Sequence, residues 1–322
     1  MKFAKFALLA AVAFPAACLA ADPSLLSLMM PDAKVIAGVQ VNSTKNSPFG
    51  RYLLDHFQPS DPSFQEFISQ TGFDPRRDVT EVVMASNWQS KSPTSRWLVA
   101  AKGSFDLPKI TQAVQTHGGS VQNFQGINVL SGDRNGDSNI AFLDSSSAVM
   151  GDLASVEAAI GRRKNNLPVD AGLLSRLGNV KTNNDFWFTT LVPISEFADS
   201  MPNENLQGAM KGNLMQGITQ ASGGIKFGTT INISGEALTR SEKDAQALMD
   251  VVRFVIGMIQ QNKPEGAAGA QVADWIDSLD LKSNGTTVTM ALAIPETQLE
   301  QLLGAARATA RPQTQPRKRP VQ

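Results

Sequence analysis

Short alternating segments, paired across only a few turn residues, dominate this chain and restrict its fold more than any other feature. Glu81–Ser86 and Arg96–Ala101 are joined by a polar loop containing Pro93. Gly126–Ser131, Asn139–Asp144 and Ala148–Gly151 follow one another, and Ser222–Phe227 is followed at once by Thr229–Leu238. Trp275–Leu281 and Thr286–Ile294 flank Asn284-Gly285, a hairpin signal because both residue types tolerate positive φ. A parallel connection needs a crossover of a dozen or more residues, so neighbours this close must pair antiparallel. Helical segments then have to lie on the sheet. The expected class is α+β, mainly antiparallel sheet with helices packed on one face, not a doubly wound parallel sheet.

The helices are read from 3.6-residue spacing. Ser47-Pro48-Phe49-Gly50 opens one, with Tyr52, Leu53 and Phe57 on one side. Asp61-Pro62 opens a second, with Phe64, Phe67 and Ile68 at i, i+3, i+4 and Gly72 as its stop. Phe105–His117 and Leu153–Arg163 are the next two. Lys34–Val41 is a strand at the start of the first half, and Asp185–Val192 starts the second. There, Asn205–Thr219 and Ser241–Gln261 read as helices, Asn262–Gly269 as a linker and Pro295–Arg307 as a last helix. Each half runs strand, helices, strand pair, helix, strands, helix. The expectation is an internal duplication, with residues 21–165 as one α+β unit and 166–304 as a second.

Residues 1–20 are an address. Lys2 and Lys5 precede the apolar run Phe6–Phe14, and Cys18 and Ala20 put small residues at the −3 and −1 positions before Ala21. That is the layout of a secretory signal peptide, and its apolar run falls short of the roughly 20 residues of a membrane span. The mature chain should start near Ala21 or Asp22 and lie in a bacterial periplasm or outside the cell. Lipidation at Cys18 is the alternative, although Pro15 stands where such signals carry Leu. Without Cys18 the mature chain has no cysteine, so burial must hold it together. Residues 21–304 carry 22 basic and 29 acidic groups, and the tail 305–322 adds Arg307, Arg311, Arg317, Lys318 and Arg319 with no acid. That tail has three prolines from Arg311 onward and no apolar periodicity, as disordered segments do. It could touch anionic envelope surfaces; nucleic acid is not an expected partner.

Met30-Pro31-Asp32-Ala33, Gly72-Phe73-Asp74-Pro75-Arg76-Arg77-Asp78, Ala141-Phe142-Leu143-Asp144 and Ala148-Val149-Met150-Gly151-Asp152 occur in order along the chain. With them the chain resembles a group of uncharacterised bacterial exported proteins of unknown function. The resemblance implies two related α+β units and export. It brings no activity and no catalytic residue.

Chemistry-bearing motifs are sparse. Asp133, Asn135, Asp137 and Asp144 fall at calcium-loop spacing, but the sixth position is Ser138 and Asn135-Gly136 suits a hairpin turn. His56 and His117 stand far apart, outside any metal-spaced cluster. Neither a Gly-x-Ser-x-Gly elbow nor a Gly-Lys-Ser/Thr phosphate loop occurs. Trp88, Trp97, Trp187 and Trp275 sit mostly in expected strands, as core residues would. No cofactor and no metal are expected. Met210, Leu214, Met215 and Ile218 form a Met-rich stripe in a glycine-weakened helix, the candidate surface for an apolar ligand or partner. The leading expectation is an exported non-enzymatic binding or scaffold protein of the envelope, with an apolar groove in the second unit. A carboxylate-dependent extracytoplasmic hydrolase is the alternative.

Overall fold

The computed structural model describes residues 21–56, 62–88, 95–116, 118–131, 139–167, 171, 175, 177, 184–193, 196, 217–261 and 267–302. Residues 1–20 and 132–138, most of the segments 168–183 and 194–216, and residues 303–322 lie outside them, as do Cys18, His117, Met210, Leu214 and Met215.

Among the described residues, twelve strands form one sheet. They are β1 Val35–Gln40, β2 Val79–Ser86, β3 Trp97–Gly103, β4 Ser120–Phe124, β5 Ile127–Ser131, β6 Asn139–Asp144, β7 Ser147–Gly151, β8 Phe186–Thr190, β9 Ile218–Lys226, β10 Thr230–Thr239, β11 Asp280–Asn284 and β12 Thr287–Pro295. Their spatial order is β11-β12-β10-β9-β8-β1-β2-β3-β7-β6-β5-β4, every neighbouring pair antiparallel. The class is therefore α+β.

The helices are α1 Pro23–Leu26, α2 Val41–Asn46, α3 Pro48–His56, α4 Pro62–Thr71, α5 Pro75–Asp78, α6 Leu107–Thr116, α7 Leu153–Lys164, α8 Glu242–Gln261 and α9 Ala267–Asp277, with residues 296–302 also helical. From β1 the sheet runs outward through β2 and β3, the chain leaves through α6, and it returns so that β7 pairs with β3. From β8 it runs through β9 and β10, leaves through α8 and α9, and returns so that β12 pairs with β10. β1 and β8 join the two series, with Val35 opposite Thr190 and Val39 opposite Phe186.

At this seam Trp187 is fully buried, and its ring lies over Gly38, its cross-strand partner. A Cβ at Gly38 would stand 2.3 Å from Trp187 Cζ2, so only glycine fits.

Helices cover both faces of the sheet rather than one. Leu98, Ala100, Ala141, Val149 and Trp187 pack with α1 and α7 through Leu25, Leu26, Val156, Ala159 and Ile160. Ala101, Phe142 and Ala148, their strand neighbours, point the other way, to α6 through Ile110. Successive strand residues alternate sides, so runs such as Trp97–Ala101 and Ser147–Gly151, apolar at nearly every position, need cover on both. The alternating side chains and the pairing register carry that second face across the seam to Ala221, Ala237 and Val288, which pack against Ala245, Leu248 and Met249 of α8.

Several expected elements differ. The strand expected over Trp275–Leu281 is the end of α9 followed by β11, and Trp275 is buried, its Nε1–H donating to Gln298 Oε1 at 2.6 Å. The chain turns into α2 at Val41, where a strand was expected to end. β4 and α1 were not foreseen. The helix expected through Thr219 has given way to β9 by Ile218.

Candidate functional site

α8 begins with Ser241, whose Oγ accepts a hydrogen bond from Asp244 N at 3.1 Å, and with two acids in its first turn. Both features favour a helix start. Ala245, Leu248, Met249 and Val252 then fall at i, i+3, i+4, i+7 and pack on the sheet. Six residues further on the same spacing recurs in Val251, Phe254, Val255 and Met258. A six-residue displacement turns the second stripe by about 120° around the axis. Phe254 is 67% exposed, Val255 46% and Met258 47%. One stripe is enough to hold a helix on a sheet, and contiguous exposed apolar groups on a helix mark a contact surface. Asp250 and Arg253 border it, and among the described residues no helix is long and apolar enough to cross a membrane.

The opposite face of the sheet carries a polar row at one end. Lys226, Asp185, Gln40, Glu81 and Lys102 occupy neighbouring positions on β9, the β8 entry, β1, β2 and β3. Asp185 accepts from Lys226 Nζ and from Phe227 N, both at 2.8 Å. Glu81 Oε1 accepts from Asp22 N at 2.8 Å, and Asp22 Oδ2 pairs with Lys102 Nζ at 2.5 Å. Burial pushes the Glu81 carboxyl above its ordinary value, with Asp22 N, the Gln40 side chain and Lys102 pulling against that. Burial also pulls Asp22 upward, but the bonds from Lys102 and Ser24 leave it below its ordinary value. These acids are engaged in holding α1 and the strand ends together.

Among the described residues, clefts of 240–350 Å³ open elsewhere, and Asp144 is the acid that lines one of them. Asp144, the twelfth position of the calcium-like spacing, lies in β6. Its carboxylate accepts from Ser146 N and Ser146 Oγ, both at 2.7 Å, and pairs with Arg163. The rest of that motif lies outside the described residues. His56 ends α3. Among the described residues no group of three or more His, Cys, Asp or Glu could hold a metal.

Of the Met-rich stripe, Ile218 is described. It is 3% exposed and belongs to the core beneath α8, with Ala245 and Leu248. Among the described residues, α8 carries Phe254, Val255 and Met258 as exposed apolar side chains on one helix, whereas Leu53, Met84, Leu153, Leu167, Leu238 and Met290 are exposed on other elements. The sequence carried the signal, two interleaved i, i+3, i+4, i+7 sets in one helix.

No family model matches the chain, and no curated protein matches it. Among solved structures, TP0453 in crystal form III aligns with a TM-score of 0.50 at 10% identity, covering 88% of this chain and 98% of that one. Crystal form IV aligns at 0.49 with 9% identity, covering 88% and 96%, and crystal form I at 0.47 with 9% identity, covering 89% and 99%. At this identity the form III likeness speaks for the fold alone.

Proposed function

We propose that this is an exported, non-enzymatic binding or scaffold protein of the bacterial envelope, and that the second stripe of α8 takes an apolar ligand or the apolar face of a partner. The carrying observation is the exposure of Phe254, Val255 and Met258 on a helix already anchored by another face. The leader at residues 1–20 supports export, with the mature chain starting at Ala21; lipidation at Cys18 is the competing fate. The three-strand meander followed by a returning last strand, present on both sides of the β1–β8 seam although one side has seven strands and the other five, supports an origin from two related units. The basic tail from Arg307 to Arg319 is a second proposed contact, with anionic envelope surfaces. A hydrolytic reading would need two acids converging on a shared cleft, whereas Asp185 and Glu81 are each bound into the fold.

The test uses 1-anilinonaphthalene-8-sulfonate, whose emission rises in apolar surroundings. The folded mature protein should bind it, and Phe254→Ser with Met258→Ser should reduce the signal several-fold at unchanged circular dichroism. No binding by the folded wild-type protein, or equal binding by the variant, overturns the reading.

A further inference from the structure

The polar row is one cation short. Asp22, Glu81 and Asp185 supply three carboxylates, and Lys102 and Lys226 supply two ammonium groups, each bonded to one acid. Glu81, only 8% exposed, is left with neutral partners, the Asp22 backbone amide and the Gln40 side chain, and no cation bonded to it. Gln40, directly opposite it on β1, places a buried side-chain amide beside that carboxylate but brings no charge. Burying an acid without a compensating cation is costly.

The bond Glu81 does have comes from Asp22 N, one residue after Ala21. Successive backbone nitrogens lie within about 4 Å of each other, so Ala21 N is in the same neighbourhood. Ala21 is 1% exposed and belongs to the core cluster of Leu25, Leu26 and Trp187. It is also the residue that the leader motif places first in the mature chain.

We infer that cleavage after Ala20 creates the missing cation: the α-ammonium of Ala21 docks beside the Glu81 carboxylate and Gln40, fixing α1 to the sheet only in the processed protein. The inference rests on the proposed export reading. Hydrolysis of the Ala20–Ala21 bond consumes one water, leaves a carboxylate on the departing Ala20 and an amine on Ala21, and that amine holds an added proton below about pH 8. In the uncut chain the same nitrogen is a neutral amide, and Glu81 lacks its ion partner. Processing thereby adds stability to the fold after the chain has left the cytoplasm.

The test compares the exported chain, its start confirmed by intact mass, with its Nα-acetylated form in urea unfolding. Acetylation should lower the folded-to-unfolded ratio about tenfold at pH 7, as for a hydrogen bond between charged groups. In Glu81→Gln acetylation should cost little. The sign with pH is set by the group being a cation stabilised in the folded state. Its contribution is complete below the ordinary α-amino range and is lost as pH rises through its higher folded-state value. The gap between free and acetylated protein should therefore close on going from pH 7 to pH 10. A gap independent of pH, or equal in Glu81→Gln, overturns the inference. If Glu81→Gln does not fold, the pH dependence in the wild type decides alone. An intact mass that starts at another cleaved position overturns the inference and leaves export standing, whereas a chain that keeps residues 1–20 sinks the export reading on which it rests.

Discussion

α6 and α8 occupy the same place in the order of elements. Each leaves the third strand of a three-strand meander and precedes the strands that return to it. Their inner faces are alike: Ile110 and Ala113 of α6, and Ala245, Leu248 and Met249 of α8, are buried against the same side of the sheet. Their remaining surfaces are not. α6 presents Lys109, Gln112, Gln115 and Thr116 to solvent, as a helix with one task would. α8 is twice as long and presents Phe254, Val255 and Met258. The fold therefore requires one apolar stripe from a helix at this position, and the second stripe of α8 is surplus to it. Surplus apolar surface is costly in solubility and aggregation, which is why it points to a contact.

The largest expected effects test the shared half of that comparison. Ile110→Ala and Leu248→Ala each remove a buried branched side chain and should cost about 2–5 kcal/mol, read from urea midpoints at constant slope. Similar losses would show that both helices are structural to the same degree. A loss below about 1 kcal/mol for Leu248→Ala would mean that α8 contributes little to the core, and its second stripe could no longer be called surplus. At the seam between the two series, Gly38→Ala forces a methyl group into the Trp187 ring and should cost about 1–3 kcal/mol. Because β1 and β8 carry the only strand pairing between the series among the described residues, that cost should lower one cooperative transition. Two separated transitions would show that the halves fold independently, and α6 and α8 would then be compared across separate domains.

Much of this was legible in the chain. α6, α7 and α8 are bounded by capping residues or stop signals and carry strong 3.6-residue spacing, so their ends were read within about two residues. The Asn284-Gly285 turn announced β11 and β12, and Gly285 does adopt a positive φ. What failed had weak local signal. β4 (SVQNF) is an outer strand whose side chains are largely exposed, so it shows no inward alternation. α9 carries two glycine and proline breakers just ahead of it and a tryptophan within it, which favoured a strand; tertiary burial of Trp275 prevails over that preference. The joining of β1 to β8 connects residues about 150 positions apart, and no local periodicity specifies which strand edges meet. On the candidate surface, the composition of α8 was plain, yet apolar spacing alone cannot say which of two overlapping stripes a sheet will bury.

The smallest stability effects carry the sharpest test, because they exchange the two outer surfaces. Phe254→Gln with Val255→Gln removes exposed apolar groups that the core does not use, so unfolding free energy should move by no more than about 0.5 kcal/mol. The reverse change, Gln112→Leu with Gln115→Val on α6, adds apolar side chains to a solvent-facing surface and should be equally mild in stability. The two should part in association. The α8 variant should lose affinity for an amphipathic helical peptide probe, measured by fluorescence anisotropy, while the α6 variant should gain little, because two apolar side chains on a ten-residue helix lack the four-position register of Val251, Phe254, Val255 and Met258. If the α8 variant binds the peptide as the wild type does, exposure has been mistaken for function. A drop of more than about 2 kcal/mol in its stability would instead mean that the second stripe serves the fold, and that α6 and α8 differ in length but not in purpose.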